Sequence, residues 1–480
     1  MQRLYPNPRN LKMKYISTRS NSPELDFEDV LITGLATDGG LYVPKTWPQI
    51  SRERIATFAS MPYSDVAYEV MSPFVEGSID EAVFKNIITQ AYATFSHPAV
   101  VPLREMRPNE WILELFHGPT FAFKDVALQV LGRLIDHVLE KRDERATIIV
   151  ATSGDTGGAA IEAFRGRERT DIFVLHPHNR VSEVQRRQMT TPVEDNVHNI
   201  ALEGTFDDCQ DLVKSMFNHA SFRQSLKISG VNSINWARIM AQIVYYFTSA
   251  SSLGAPDRRS RFCVPTGNFG DVYAGYAASQ MGLPIEQLTI ATNVNDILER
   301  TVKSGRYEVL GVTPTVSPSM DIQVSSNFER LLFDAVDRDG EHVVRMMSSL
   351  NQSGAFTIAP EALKYITKNF DAVRTQEDET LKTIAEVYAT SGEMIDPHTA
   401  VALAGARRNR QSDDQTPTII LSTAHPAKFP DAVETATGSK PPMPAQLSAM
   451  FGLQERYNVL PNDVSTVEGF IAANARANNN

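Results

Sequence analysis

Lys124 stands at the end of the stretch HGPTFAFK, with Phe121 and Phe123 just before it and Asp125 just after. An ammonium group in such company is either a surface lysine in the first turn of a helix or a buried amine whose lowered pKa suits it to act as nucleophile or base. Three other stretches carry chemistry that would suit the second reading. ATSGDTGGAAIEAF (151–164) passes from a β-rich run to a helical one with almost no bulky side chain between. Ser153, Gly154, Asp155 and Thr156 there combine hydroxyls, open amides and a helix start, a setting for an anion such as a carboxylate. PTGNFGDVYAGY (265–276) repeats the arrangement with Gly267, Asn268, Phe269, Gly270 and Asp271, the glycines allowing a phosphate to come close to the backbone. LSTAHPAKFPDAV (421–433) ends a β-rich run with two hydroxyls, Ser422 and Thr423.

Any one of these loops could be a plain turn. Neither nucleotide fingerprint, G-x-x-x-x-G-K-[ST] or G-x-G-x-x-G, is met. Pyridoxal 5'-phosphate would use all four features together. Its aldehyde needs a deprotonated lysine, its phosphate a helix N-terminus, its ring nitrogen a hydrogen-bonding partner, and an amino-acid substrate's carboxylate the remaining anion loop.

These residues need elements that hold them. From about residue 100 onward, β-rich runs alternate with helical ones: 146–152, 171–177, 196–202, 260–266, 287–293 and 416–422. After Lys124, the residues Ala127, Val130, Leu131, Leu134 and Val138 recur at spacings of three and four, which predicts a helix with one buried face. Residues 234–253 and 271–282 read the same way. Such alternation predicts largely parallel sheets covered on both faces, with ligands at the carboxyl ends of the strands.

At 480 residues the chain exceeds a single core. Its net charge of −11 argues against nucleic acid as a partner. No apolar run reaches the roughly 18 residues that a membrane helix needs, so no membrane is expected. Two distant cysteines, Cys209 and Cys263, make neither a disulfide framework nor a zinc pattern; they fit a reducing compartment, and the expected location is cytoplasmic. Asp396 and His398 in DPHTAV read as a helix start, with Asp396 as cap and Pro397 first, rather than as a metal pair.

HGPTFAFKD, ATSGDTGGAA, TGNFGD and STAHPAKFP, in that order and separation, resemble the threonine synthase family of the tryptophan-synthase-β-like (fold type II) pyridoxal-phosphate enzymes. YISTR (15–19), LATDGGLYVP (35–44), NSINWARI (232–239), SPSMDIQVSSNFERLLF (317–333) and DPHTAV (396–401) extend the likeness from about Lys14 to Gly438. The resemblance implies an α/β fold of two open, largely parallel-sheet lobes with the cofactor between them, plus a small N-terminal domain. The expected divisions are a leader over 1–12, an N-terminal domain over 13–98, a catalytic region over 99–440 with insertions around 303–415, and an extension over 441–480.

The resemblance makes Lys124 the Schiff-base lysine. It gives Gly267 to Asp271 to the cofactor's phosphate, Thr423 to the ring nitrogen, and Ser153, Gly154, Asp155 and Thr156 to the substrate's α-carboxylate. Arg238 is the favoured clamp for a substrate phosphate, because a guanidinium fork matches phosphate geometry; Lys428, Lys14 and Arg19 are other candidates. The implied reaction turns O-phospho-L-homoserine and water into L-threonine and phosphate, in a monomer or homodimer. Two alternatives stand beside it: a related phospho-lyase that releases a 2-keto acid, and a non-catalytic binding module on the same scaffold.

Overall fold

A computed structural model of the chain describes residues 12–410 and 414–478. Of the leader expected over 1–12, only Lys12 falls among the described residues. Near the N-terminus β1 (Tyr15–Ser17) and β2 (Tyr42–Pro44) form an antiparallel pair, followed by helices over Tyr63–Val75 and Glu81–Tyr92. β3 (Leu103–Arg107) and β4 (Glu110–Glu114) form one edge of the larger sheet. The chain then builds the smaller lobe from β5 (Ala146–Ala151), β6 (Thr170–Pro177), β7 (Val197–Glu203) and β8 (Ile228–Ser229). It returns to the larger sheet with β9 (Ser260–Pro265) and β10 (Ile285–Thr292).

In the stretch expected to hold insertions, β11 (Arg306–Glu308) and β12 (Ala355–Thr357) pair with each other. β13 (Phe370–Arg374) and β14 (Thr418–Ser422) complete the larger sheet in the order β13-β10-β9-β14-β4-β3, parallel except at β3–β4. β15 (Asn458–Pro461), inside the expected extension, is the parallel edge strand of the smaller sheet, β15-β7-β6-β5-β8. The fold is therefore α/β, with two largely parallel sheets and an N-terminal region.

The six β-rich runs of the sequence are β5, β6, β7, β9, β10 and β14. Their apolar residues are buried on both faces, as a helix-covered parallel sheet requires. The Trp236–Ser252 helix is apolar nearly all round, and it is central: it packs against the Tyr63–Val75, Lys124–Arg142 and Gly270–Gln280 helices at once. Among the described residues no helix is long and apolar enough to cross a membrane.

Candidate active site

The loops after β5, β9 and β14 all leave the carboxyl ends of parallel strands, and the segment before Lys124 meets them. Ala122 forms a β-bridge with Ala424, the Phe123 amide donates to the Thr423 carbonyl at 2.8 Å, and the His425 amide donates to the Phe121 carbonyl at 3.0 Å. Phe121 takes a left-handed φ of 60° to make this turn. So pinned, the chain starts the Lys124–Arg142 helix with Lys124 as its first residue and no side chain capping it. Asp125 is fully buried and accepts from the Thr120 amide and hydroxyl at 2.8 and 2.7 Å. Gly118 is required there, because a Cβ on it would lie 2.5 Å from that of Asp125.

Lys124 is only 9% exposed, its Nζ 4.9 Å from the centre of the Phe123 ring. Burial lowers its pKa against the raising effect of Asp155, and the charges of Lys428 and Arg238 lower it further. A cation at a helix N-terminus also opposes the helix dipole. Of the two explanations for this lysine, the buried amine is the one the fold realises.

The loop after β9 is braced from behind. Ser325 Oγ donates to the Gly267 carbonyl at 2.6 Å, and the Asn327 amide and Nδ2 donate to the Asn268 carbonyl at 3.1 and 2.9 Å. Across a trans peptide the following N–H points the opposite way, so the amides of Asn268 and Phe269 are turned from those clamps. Phe269 holds a left-handed φ of 64°, with its ring buried 5.2 Å from that of Phe328, and starts the Gly270–Gln280 helix without a side-chain cap. A Cβ on Gly267 would stand 2.7 Å from the Ser319 carbonyl. This is a backbone cradle for an anion.

Asp271, in the first turn of that helix, is anchored at Oδ1 by the Tyr245 and Tyr246 hydroxyls, while its Oδ2 is buried without a partner among the described residues. Burial pushes its pKa up to about 7 despite those donors. A carboxyl that can be neutral is tolerated beside a phosphate.

The loop after β5 is held differently. Thr152 Oγ1 accepts from the Gly154 and Gly157 amides, each at 2.9 Å. The Asp155–Phe164 helix begins at Gly154, φ 147°, which brings no side chain of its own; Thr152 takes the Gly157 amide of the first turn, leaving those of Asp155 and Thr156 open. The Asp155 carboxylate is buried and meets Lys428 Nζ at 2.8 Å, Gln185 Nε2 at 2.9 Å and Lys124 Nζ at 3.6 Å. Burial would raise its pKa, but Lys428 and Lys124 more than offset that and hold it well below the usual carboxylate range. Ser153 and Thr156 flank it on the same loop.

Thr423 is buried on the loop after β14, and its hydroxyl has no partner among the described residues. The neighbouring Ser422 hydroxyl lies 2.8 Å from that of Thr399, on the helix that Asp396 caps through the His398 amide at 2.9 Å. Arg238 is buried with Nη1 3.4 Å from the Val231 carbonyl and Nε without a partner among the described residues; burial pulls its pKa down to about 10. His425 caps the short turn at Pro426–Lys428, a supporting place beside Thr423. Of the other phosphate-clamp candidates, Lys428 is committed to Asp155, Arg19 pairs with Glu329 at 2.9 Å, and Lys14 pairs with Asp26 at 2.5 Å.

Sequence reasoning gave no role to Gln185, Ser325, Asn327, Tyr245 or Tyr246. The motif SSNF around Asn327 was a usable signal, whereas the tyrosines lie within an apolar helical stretch.

These residues fit pyridoxal phosphate. A buried amine, two helix starts with open first-turn amides, the Arg238 Nε that has no partner among the described residues, and an Asp271 Oδ2 that can donate when protonated leave polar groups for one anionic, aldehyde-bearing ligand to satisfy.

Comparison with known proteins agrees. Three family models match: "Threonine synthase N terminus" over residues 14–92, "Pyridoxal-phosphate dependent enzyme" over 100–349, and "Threonine synthase, C-terminal" over 399–471. The likeness thus runs past Gly438 into the last forty residues. A threonine synthase of Pseudomonas aeruginosa is 55% identical, covering 96% of this chain and 98% of that one. A pyridoxal-phosphate-bound threonine synthase from Brucella melitensis superposes with a TM-score of 0.94 at 55% identity, over 97% of this chain and all of that one. The yeast enzyme superposes at 0.91 with 39% identity, over 97% and 99%. The chain belongs to the threonine synthase family of pyridoxal-phosphate-dependent enzymes.

Proposed function

We propose that this chain converts O-phospho-L-homoserine and water into L-threonine and phosphate, in the cytoplasm, as a monomer or homodimer, with pyridoxal 5'-phosphate joined to Lys124. The observation that carries the reading is a buried lysine flanked by two helix N-termini that keep open first-turn amides. In this reading residues 13–98 form an N-terminal domain, 99–440 the catalytic region and 441–480 an extension that buttresses the smaller lobe.

Bound there, the cofactor supplies an aldehyde for an amine to join and a conjugated ring that accepts the electron pair left when a Cα proton is removed. The amides of Gly267 to Gly270 and the N-terminus of the Gly270–Gln280 helix would hold its phosphate. The Thr423 hydroxyl would partner its ring nitrogen; a neutral partner stabilises a protonated ring less than a carboxylate would, which would moderate the electron sink. The amides of Ser153, Asp155 and Thr156, with Gly154 held to Thr152, orient the substrate's carboxylate, while the Asp155 side chain stays with the lysines. Arg238 attracts the substrate's phosphate. Lys124, once neutral and free, takes the proton from substrate Cα and returns it there at the end of turnover.

The test has two parts. Lys124→Ala abolishes both the visible absorbance of the cofactor-loaded protein and turnover; survival of both removes Lys124 from this role. Incubation of the wild-type protein with O-phosphohomoserine yields threonine; accumulation of 2-oxobutyrate instead assigns the lyase reaction, which would use the same cofactor residues.

A further inference from the structure

Lys428 is the second lysine of this site, and nothing in the mechanism above uses it. Its side chain is fully buried, more so than that of Lys124. It donates to the Thr120 carbonyl at 2.8 Å and pairs with Asp155 Oδ1 at 2.8 Å. Asp155 is shared unequally. Oδ1 receives both Lys428 and Gln185, whereas Oδ2 faces Lys124 at 3.6 Å, beyond hydrogen-bond reach. The brace is built from several elements: Gln185 and Gln188 lie on the Glu183–Thr190 helix, and Gln188 Nε2 donates to the same Thr120 carbonyl at 3.1 Å.

We propose that Lys428 is a positioning residue for Lys124: by occupying Asp155 Oδ1 it keeps that carboxylate from closing on the Lys124 amine, which stays free to act as nucleophile and base. This inference rests on Lys124 being the residue that joins the cofactor. The geometry answers a problem that the site poses. A lone buried carboxylate 3.6 Å from a lysine would form a tight ion pair with it and hold it as ammonium. A fixed second cation takes up the carboxylate and adds its own repulsion.

The charged groups facing Lys124 are Asp155 and Lys428, then Arg238 on the central helix and Asp271 on the Gly270–Gln280 helix. Lys428 itself faces Asp155, the Thr120–Asp125 turn and His425. The signs follow. Removing Lys428 deletes a charge that lowers the Lys124 pKa and frees Asp155 to raise it, so both effects move the amine's deprotonation to higher pH.

The experiment is the rate at which apoprotein takes up added pyridoxal phosphate, measured against pH by visible absorbance; the cofactor's own titrations are common to every variant and cancel. In Lys428→Met the midpoint of the rising limb moves up by about one unit or more. In Lys428→Arg, which keeps the cation, it stays with the wild type. An unmoved midpoint in Lys428→Met, or equal displacement in the Met and Arg variants, overturns the inference. Should Lys428→Met not fold, the double variant Asp155→Asn/Lys428→Met, which strands no buried charge, decides. There the carboxylate and the cation that holds it leave together, so the midpoint stays near the wild type's; a midpoint well above it shows Lys428 acting without Asp155, one well below it shows Asp155 already holding the amine as ammonium in the presence of Lys428, and either overturns the inference. If Lys124→Ala still takes up the cofactor with the same absorbance, it is the reading of Lys124 that fails, a result distinct from either.

Discussion

The two loops that open helices around Lys124 look alike in composition and are held in opposite ways. The loop after β9 is clamped by neutral hydrogen bonds from Ser325 and Asn327 to its carbonyls. Behind them stands Arg330, fully buried, which contacts Asn327 Oδ1 and donates to the Tyr42 carbonyl at 3.0 Å and the Ile234 carbonyl at 2.5 Å. Arg19 and Thr18 tie the adjacent Glu329 to the N-terminal region. The N-terminal motifs therefore buttress this loop from a distance.

The loop after β5 has its only side-chain carboxylate in an ion network with two lysines. Its brace, the Glu183–Thr190 helix, is strapped by the C-terminal segment: Glu455 pairs with Arg186 at 2.8 Å and accepts from Thr190 at 2.8 Å, and the Arg456 amide donates to the Thr190 carbonyl at 2.6 Å. Neutral clamps suit a loop that keeps one ligand through every turnover, since they add no charge to the cradle. Charged partners suit a loop whose ligand comes and goes, since they can re-pair.

Changes that break the comparison should scale with the kind of bond lost. Asp155→Ala strands Lys428 in the interior and should cost the apoprotein about 3–5 kcal/mol in urea unfolding. A cost no larger than that of a surface substitution would show that the ion network does not hold the loop. Asn327→Ala removes the neutral Nδ2 bond to the Asn268 carbonyl, leaving the backbone amide's, and a partner of Arg330, worth about 1–3 kcal/mol. Its signature should be weaker cofactor binding, seen in a titration by absorbance, at nearly unchanged KM for substrate once the cofactor is saturating. Glu455→Gln is the smallest: the pair is partly exposed, so stability should change by about 1 kcal/mol or less. KM for the substrate should rise with no change in cofactor affinity, and the reverse pattern would assign the C-terminal strap to the wrong loop.

How much of this could be read beforehand depends on how local the cause is. The six β-rich runs were legible because a buried parallel strand is a short apolar stretch between turns. β3 and β4 were not, since LREMR and EWILE mix charges into an antiparallel edge, and β13 and β15 are short edge strands. The loops were legible from their glycines and hydroxyls. The fate of Lys428 was not: nothing in HPAKF separates a lysine that meets substrate from one sealed against a carboxylate some 270 residues away. The same holds for Arg330, whose partners lie near residues 42, 234 and 327. Tyr245 and Tyr246 lie in the stretch predicted as a helix with a buried face, yet their hydroxyls also fix Asp271, which an apolar pattern cannot reveal.

Two buried lysines within reach of one carboxylate make the most direct test a question of which of them bears the cofactor. Borohydride reduction of the protein loaded with pyridoxal phosphate, followed by peptide mapping, should place the label on Lys124 in the peptide containing HGPTFAFKD and leave Lys428 unmodified. Label on Lys428, or on any lysine other than 124, would contradict the account.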